Sequence, residues 1–252
     1  MSSGRQSGPK TREVFPSEVV ERYRKRALAV RKKLRNRGPH EWCRADFDAG
    51  ALFDVFPNVR LRPGYRLLTY LYHSGGNGNG RVVAFSEESD AYRSIAAVPA
   101  GQPLESPPWV EDEILHPLQV SDGDGSALAY LSASLLMREL HEVGAEWHGI
   151  HWDVEHVMAP TLAHLAGKRR PSRHNQSLQD LVDELGWTQG KSDIESLAPE
   201  VRFEDGVVRV VLHIHTGLGR EQVTRCADIY TDSYLPAREC EVVAVGGPGF
   251  MF

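Results

Sequence analysis

The stretch VRFEDGVVRVVLHIHTGLGREQVTRCADIYTD, residues 201–232, determines the predicted fold class because apolar and polar residues alternate along most of its length. A period of two sends successive side chains to opposite faces of a β-strand. Asp205-Gly206 is a dipeptide typical of the tight turn between two strands. Together with ARECEVVAVGG, which follows it, the stretch predicts an antiparallel meander of about four strands.

A β-hairpin is predicted nearer the N-terminus, in VRLRPGYRLLTYLYHSGGNGNGRVVAFSEE, residues 59–88. Aromatic and aliphatic residues at 65–72 and 81–85 predict its two strands. The two Asn-Gly pairs between them predict the turn, because both residue types tolerate positive φ. The glycines do not predict a phosphate loop, since a strand pattern and not a helix follows them.

Helices are predicted between these two strand regions. SALAYLSASLLMRELHEV, residues 126–143, has a wide apolar face, a capping Ser126 and a closing Gly144, and it predicts the central core helix. A capping box at Ser177 predicts a second helix. Strands followed by helices and then by strands indicate the α+β class: an N-terminal basic helix, an antiparallel hairpin, central helices and a C-terminal antiparallel meander.

The charge is distributed unevenly along the chain. Residues 1–37 contain twelve Lys and Arg against three Glu, a net charge of +9, which leaves 17 basic and 31 acidic residues, or −14, for the remainder. We predict a disordered leader plus a basic amphipathic helix over residues 1–38 and a single acidic α+β domain over residues 39–252. A division into two lobes near the proline-rich residues 98–125 is the alternative.

The basic helix is predicted over residues 17–37, and cationic side chains fill most of the positions outside its apolar stripe. That stripe consists of Val20, Tyr23, Ala27, Val30 and Leu34, at spacings of 3, 4, 3 and 4. The cationic residues that we expect to contact a partner are Arg22, Arg24, Lys25, Arg26, Arg31, Lys32, Lys33 and Arg35.

Three interpretations of this helix stay open. It can lie on the acidic body with its charges in solvent, as charged helix faces often do. It can bind the phosphate backbone of nucleic acid, because Lys and Arg neutralise phosphates and release counterions. It can also dock on an acidic protein or on a second copy of the chain as a homo-oligomer.

A metal site is a further hypothesis, from the stretch AEWHGIHWDVEHV, residues 145–157, and from the His-x-His pair at His213 and His215. As strands, these stretches place His151, Asp153 and Glu155 on one face, and the two histidines on one face of another strand. If the strands are neighbours, two histidines and a carboxylate form a ligand set suited to zinc, iron or manganese. The alternative is surface or hydrogen-bonding histidines.

The compartment is predicted from cysteine usage and hydropathy. Cys43, Cys226 and Cys240 are odd in number and far apart, which favours three reduced thiols in a reducing compartment over a disulfide framework. No stretch resembles a signal peptide or approaches the ~18 apolar residues of a membrane span. We expect a soluble cytoplasmic protein without a membrane partner, and the excess of Arg over Lys is typical of GC-rich bacterial sequences.

The sequence thus predicts an intracellular binding or regulatory protein that docks through its basic helix onto nucleic acid or an acidic partner. The alternative is a metal-dependent hydrolase or oxygenase that uses His213, His215 and the carboxylates near Trp152, so enzymatic activity stays open. A third interpretation is a small-ligand site on the aromatic-rich strand at residues 65–72.

Overall fold

The computed structural model describes residues 11–34, 41–104, 114–147, 150–151, 155–157, 188–189, 196–216 and 220–248. The chain forms two compact units, of which unit 1 consists of residues 1–22, 154–231 and 236–252, and unit 2 of residues 23–153 and 232–235. These units divide the chain neither at residue 38 nor within residues 98–125, and the predicted domain organisation stays a prediction.

The predicted α+β class is confirmed, because the described residues form α-helices together with antiparallel sheets. In chain order, the first elements are β1 (Thr11–Val14), α1 (Ser17–Arg31), β2 (Trp42–Ala45), α2 (Gly50–Phe53), β3 (Val59–Leu61), β4 (Tyr65–Ser74), β5 (Asn77–Ser86), α3 (Asp90–Ala96), β6 (Pro103–Leu104), β7 (Ile114–Leu115), β8 (Ser121–Gly123) and α4 (Ala127–His141). They are followed by β9 (Glu146–Trp147), β10 (Ile150–His151), β11 (His156–Val157), β12 (Thr188–Gln189), β13 (Glu200–Glu204), β14 (Val207–Thr216), β15 (Arg220–Tyr230) and β16 (Ala237–Pro248).

Unit 1 is built on an antiparallel sheet in the order β1–β13–β14–β15–β16–β12, with β11 beside β14. The central strands β13 to β16 follow one another along the chain as a meander. The predicted turn at Asp205-Gly206 is confirmed: both residues have positive φ, 49° and 83°, as a two-residue hairpin turn of this kind requires. Thr11–Val14, predicted as part of the disordered leader, pair with β13. The segment is ordered by a sheet edge to which it adds as a strand, and the composition of the segment does not reveal that edge.

A disulfide between Cys226 and Cys240 links two neighbouring strands of unit 1. The two residues are direct partners in the register of β15 and β16, with 4.2 Å between their Cα atoms. The prediction of three reduced thiols was therefore wrong for this pair, because the strand register that brings the cysteines together is invisible in their spacing. Cys43 is a free, buried thiol. Cytoplasmic location stays a prediction, and cysteine chemistry no longer supports it.

Unit 2 contains a sheet in the order β10–β9–β5–β4–β2–β6, with β7 beside β5. The strands β4 and β5 form the long hairpin, but its turn is not at the Asn-Gly pairs. Gly75 and Gly76 make the turn, with φ of 58° and 86°, and the Asn-Gly residues at 77–80 belong to β5. Glycine reaches positive φ at less cost than asparagine, so the Gly-Gly pair takes the two turn positions.

The central helix of unit 2 is α4, as predicted. The Ser126 hydroxyl caps it by accepting a hydrogen bond from Ala129 N at 3.1 Å, and Gly144 follows its end with a φ of 73°. The helix is buried on nearly all sides and packs against α2, β3 and β5. Among the described residues, no helix has the length and apolar composition required to cross a membrane.

Several predictions lie outside the described residues. They concern residues 1–10 of the leader, the helix expected from Ser177, and the positions of Arg35 and Asp153.

Candidate functional site

The helix α1 uses its apolar side for packing. Val20, Tyr23, Ala27 and Leu34 are all buried, and the Tyr23 ring contacts Phe56 of unit 2 with 5.3 Å between ring centroids. The fifth position of the predicted stripe is different. Val30 is only half-buried, whereas Arg31 is 1% exposed.

Arg31 is buried because α4 supplies a carboxylate for it. Arg31 Nε donates to Glu139 Oε2 at 2.8 Å, and Arg24 Nε donates to Glu139 Oε1 at 3.0 Å. Arg31 also donates to the backbone oxygen of Glu142 at 3.3 Å. A buried charge persists only with such partners. Arg24 and Arg31, both predicted to contact a partner molecule, therefore hold α1 to α4.

Four other predicted cations form an outward row, which we call the α1 cationic face: Lys25, Arg26, Lys32 and Lys33. All four are exposed. Lys32 and Lys33 lie in the turn directly after α1, where Lys32 N still donates to Leu28 O at 2.9 Å. Seven residues separate Lys25 from Lys32 and Arg26 from Lys33, which at the helical rise per residue is about 10 Å along the axis. Within the described part of the chain, no carboxylate forms an ion pair with them. Arg22 is also exposed.

The histidines of β14 are not surface residues. His213 and His215 are each 4% exposed, because both faces of β14 are covered from Val210 to His215. Strand alternation correctly places the two histidines on one face, but it does not show that this face is covered too. For His213 and His215, a surface position is therefore wrong, and buried hydrogen-bonding histidines remain the alternative to a metal site.

The surroundings of His213 keep its ring neutral. Burial lowers the pKa of His213 to about 4; the backbone of Leu197 and the carboxylate of Glu241 oppose this shift, and Arg225 adds to it. Arg225 is the register partner of His213 on β15, and it forms an ion pair with Glu241 at 3.3 Å. A neutral imidazole keeps one nitrogen available as an acceptor or ligand.

The strand β11 also pairs with β14, and it places His156 beside His215. The two histidines are register partners, with 6.2 Å between ring centroids. Glu155, a predicted ligand, forms an ion pair with Arg238 at 3.1 Å, and Arg238 also binds the buried Asp228 at 3.2 Å. The carboxylate of Glu155 is thus engaged by an arginine.

His151 lies on β10, which pairs with β9 in unit 2, whereas His213, His215 and Glu155 belong to unit 1. Asp153 is outside the described residues. Across the described part of the chain, no group of three or more His, Cys, Asp or Glu residues is arranged to hold a metal ion. The five-residue metal set stays a prediction.

No family model, curated protein or solved structure matches this chain.

The sequence pattern does not single out Glu139 or His156, although both hold key positions. A signal for Glu139 exists: the charged pair Arg138-Glu139 interrupts an otherwise apolar helix, and charges in a core helix require buried partners. His156 lies in the stretch at residues 145–157 from which the metal site was predicted, but alternation places it on the face opposite Glu155, and only the pairing of β11 with β14 places it beside His215.

Proposed function

We propose that this protein binds nucleic acid through the α1 cationic face, by contacts to the phosphate backbone. The proposal rests on the different roles of the residues in and directly after α1. The apolar side of α1 and two of its arginines are used for packing, while Lys25, Arg26, Lys32 and Lys33 are exposed cations. Packing does not require these four charges.

The chemistry of the face suits phosphates. Lysine and arginine are the side chains that neutralise backbone phosphates, and each contact releases condensed counterions. Two basic pairs about 10 Å apart along the helix can reach separate phosphates. The rigid attachment of the helix through Arg31 and Glu139 holds both pairs in a fixed spacing, which lowers the entropy cost of binding.

The acidic remainder of the chain limits the affinity. Residues after 37 carry a net charge of −14, which repels phosphates within the screening length of about 10 Å. We therefore expect non-specific binding with dissociation constants of about 1 to 100 µM at physiological salt. The expected mode is contact with the backbone and not readout of base edges.

The test is fluorescence anisotropy with a labelled mixed-sequence DNA duplex over a series of salt concentrations. The variant Lys25→Gln/Lys32→Gln/Lys33→Gln removes three cations of the face. Since each phosphate contact contributes about −0.9 to the slope of log K against log salt, we expect the slope to become shallower by about 2.7 units. The matched control is Arg60→Gln/Arg66→Gln/Arg93→Gln, which removes three exposed cations elsewhere in unit 2.

The control variant has the same net charge as the test variant, so it should bind the duplex like the unmodified protein. Equal losses in both variants would overturn the proposal, since the effect would then come from overall charge. Binding of polyglutamate in place of the duplex would overturn it in favour of an acidic protein partner.

The predicted alternative, a metal-dependent hydrolase or oxygenase at His213 and His215, stays a prediction. The buried, neutral His213 is compatible with a ligand role. However, Glu155, the carboxylate of the predicted set that lies among the described residues, is engaged by Arg238.

A further inference from the structure

Three neighbouring strands of unit 2 place two arginines on either side of a buried tyrosine. Tyr70 on β4 is the register partner of Arg44 on β2 and of Arg81 on β5. Directly opposed residues in antiparallel strands project to the same face of the sheet. Arg44, Tyr70 and Arg81 therefore form one row across that face.

Two hydrogen-bond donors in this row are buried without an acceptor. The Tyr70 side chain is 0% exposed, and neither its hydroxyl nor Arg44 Nε has a hydrogen-bond partner among the described residues. More than nine in ten buried polar groups in proteins are paired, because an unpaired one loses its hydration without compensation. Arg44 Nε can only donate and the Tyr70 hydroxyl can donate too, so an acceptor between them would satisfy both groups.

The surroundings of the row are apolar and aromatic. Tyr70 forms a core cluster with Val83 and Phe85, against which Trp42 and Tyr92 pack. Burial raises the pKa of Tyr70 to about 12, although Arg44 acts in the opposite direction. The phenol is consequently protonated at neutral pH, so its hydroxyl has a proton to donate to an external acceptor.

We propose that Arg44 and Tyr70 bind the carboxylate of a small aromatic acid, whose ring lies against the aromatic side chains of this face. A carboxylate accepts hydrogen bonds from both donors and neutralises the guanidinium. Ligand sites commonly combine an apolar, aromatic lining with a few placed polar groups. An inorganic anion satisfies the same donors but gains nothing from the cluster around Tyr70.

The test is calorimetric titration of the full chain with benzoate, with benzamide as its uncharged counterpart and with inorganic phosphate. We expect benzoate to bind at least about tenfold more tightly than benzamide, because hydrogen bonds to a charged group are the stronger ones. Phosphate binding tighter than benzoate binding would overturn the proposal, since the apolar part of the site would then be irrelevant.

Two variants locate the site. Tyr70→Phe and Arg44→Met remove one donor each, and each should weaken benzoate binding by about tenfold or more. Matched controls are Tyr65→Phe, whose register places it on the opposite face of β4, and Arg60→Gln on β3, both of which should bind benzoate normally. Unchanged benzoate binding by Tyr70→Phe would overturn the proposal.

The stability of Tyr70→Phe without ligand gives an independent readout. If the hydroxyl has no partner in the free protein, its removal should leave the thermal midpoint unchanged or raise it. At one fixed benzoate concentration, the midpoint of the unmodified protein should then rise by more than that of the variant. A clear drop in the variant's midpoint without ligand would show that the hydroxyl already has a partner, which contradicts the inference.

Discussion

Arg31 and Glu139 form a buried ion pair between α1 and α4, with 2.8 Å between Arg31 Nε and Glu139 Oε2 and each side chain 1% exposed. The part of α1 that belongs to unit 2 is therefore a packed element. Removal of residues 1–38 would leave Glu139 without either of its arginines and would also remove Tyr23 from its contact with Phe56. Point variants, and not truncation, are the suitable test of the α1 cationic face.

The substitution Glu139→Gln should lower the free energy of unfolding by about 3–5 kcal/mol, because it removes the buried carboxylate that pairs with both Arg24 and Arg31. Urea denaturation followed by circular dichroism measures the loss. The control is Glu87→Gln, which breaks the exposed pair with Arg66 and should cost less than about 1 kcal/mol. Similar losses in the two variants would show that Arg31 and Glu139 are not buried as described.

Substitution of both β14 histidines, His213→Ala with His215→Ala, should lower the free energy of unfolding by several kcal/mol, since both side chains are buried and truncation leaves a cavity. Surface histidines would cost within about 0.5 kcal/mol. The denaturation is repeated after chelation, together with elemental analysis of the purified protein. We expect the same loss with and without chelator. If the variant is less stable than the unmodified protein only before chelation, and the purified unmodified protein contains stoichiometric metal, the result would support the predicted metal set instead.

The stability of unit 1 should depend on pH through His213. The pKa of this histidine is lowered to about 4 in the folded state, from an ordinary value of about 6.5. The unfolded chain therefore binds more protons between these values, so the stabilisation present above pH 6.5 is lost as the pH falls towards 4.

The loss attributable to His213 is at most about 3 kcal/mol. Urea denaturation at pH 7, 5.5 and 4.5 should show a shallower pH dependence for His213→Leu than for the unmodified protein. Parallel curves for the two proteins would contradict the burial of a neutral imidazole at this position.

Reduction of the disulfide should destabilise unit 1. The bond closes a loop between residues 14 positions apart, and loss of a loop constraint of this length costs about 3 kcal/mol. Thermal unfolding with and without dithiothreitol measures the effect. The double variant Cys226→Ala/Cys240→Ala should unfold at the midpoint of the reduced protein and should not respond to dithiothreitol. A response in that variant would show that the effect of dithiothreitol does not come from the Cys226–Cys240 bond.

Local patterns predicted the elements that depend on neighbouring residues. The period of two along Val207–Thr216 predicted a strand that is present, and the Asp205-Gly206 turn and the Ser126 cap occur where their chemistry favours them. The turn of the β4–β5 hairpin was placed incorrectly, since Gly75-Gly76 and the Asn-Gly pairs compete for it and only the register of the two strands decides between them.

The sequence by itself determined the α+β class, the capped helix α4 and most of the apolar stripe of α1, because period and capping are properties of residues close together in the chain. Only the tertiary structure decided the pairs Arg31–Glu139, Cys226–Cys240, His156–His215 and Arg44–Tyr70. Each pair depends on strand register or on helix packing, and a shift of one residue in register moves every side chain of a strand to the other face. Burial of the second face of β14 follows from such packing too, so alternation alone could not show that His213 is inside.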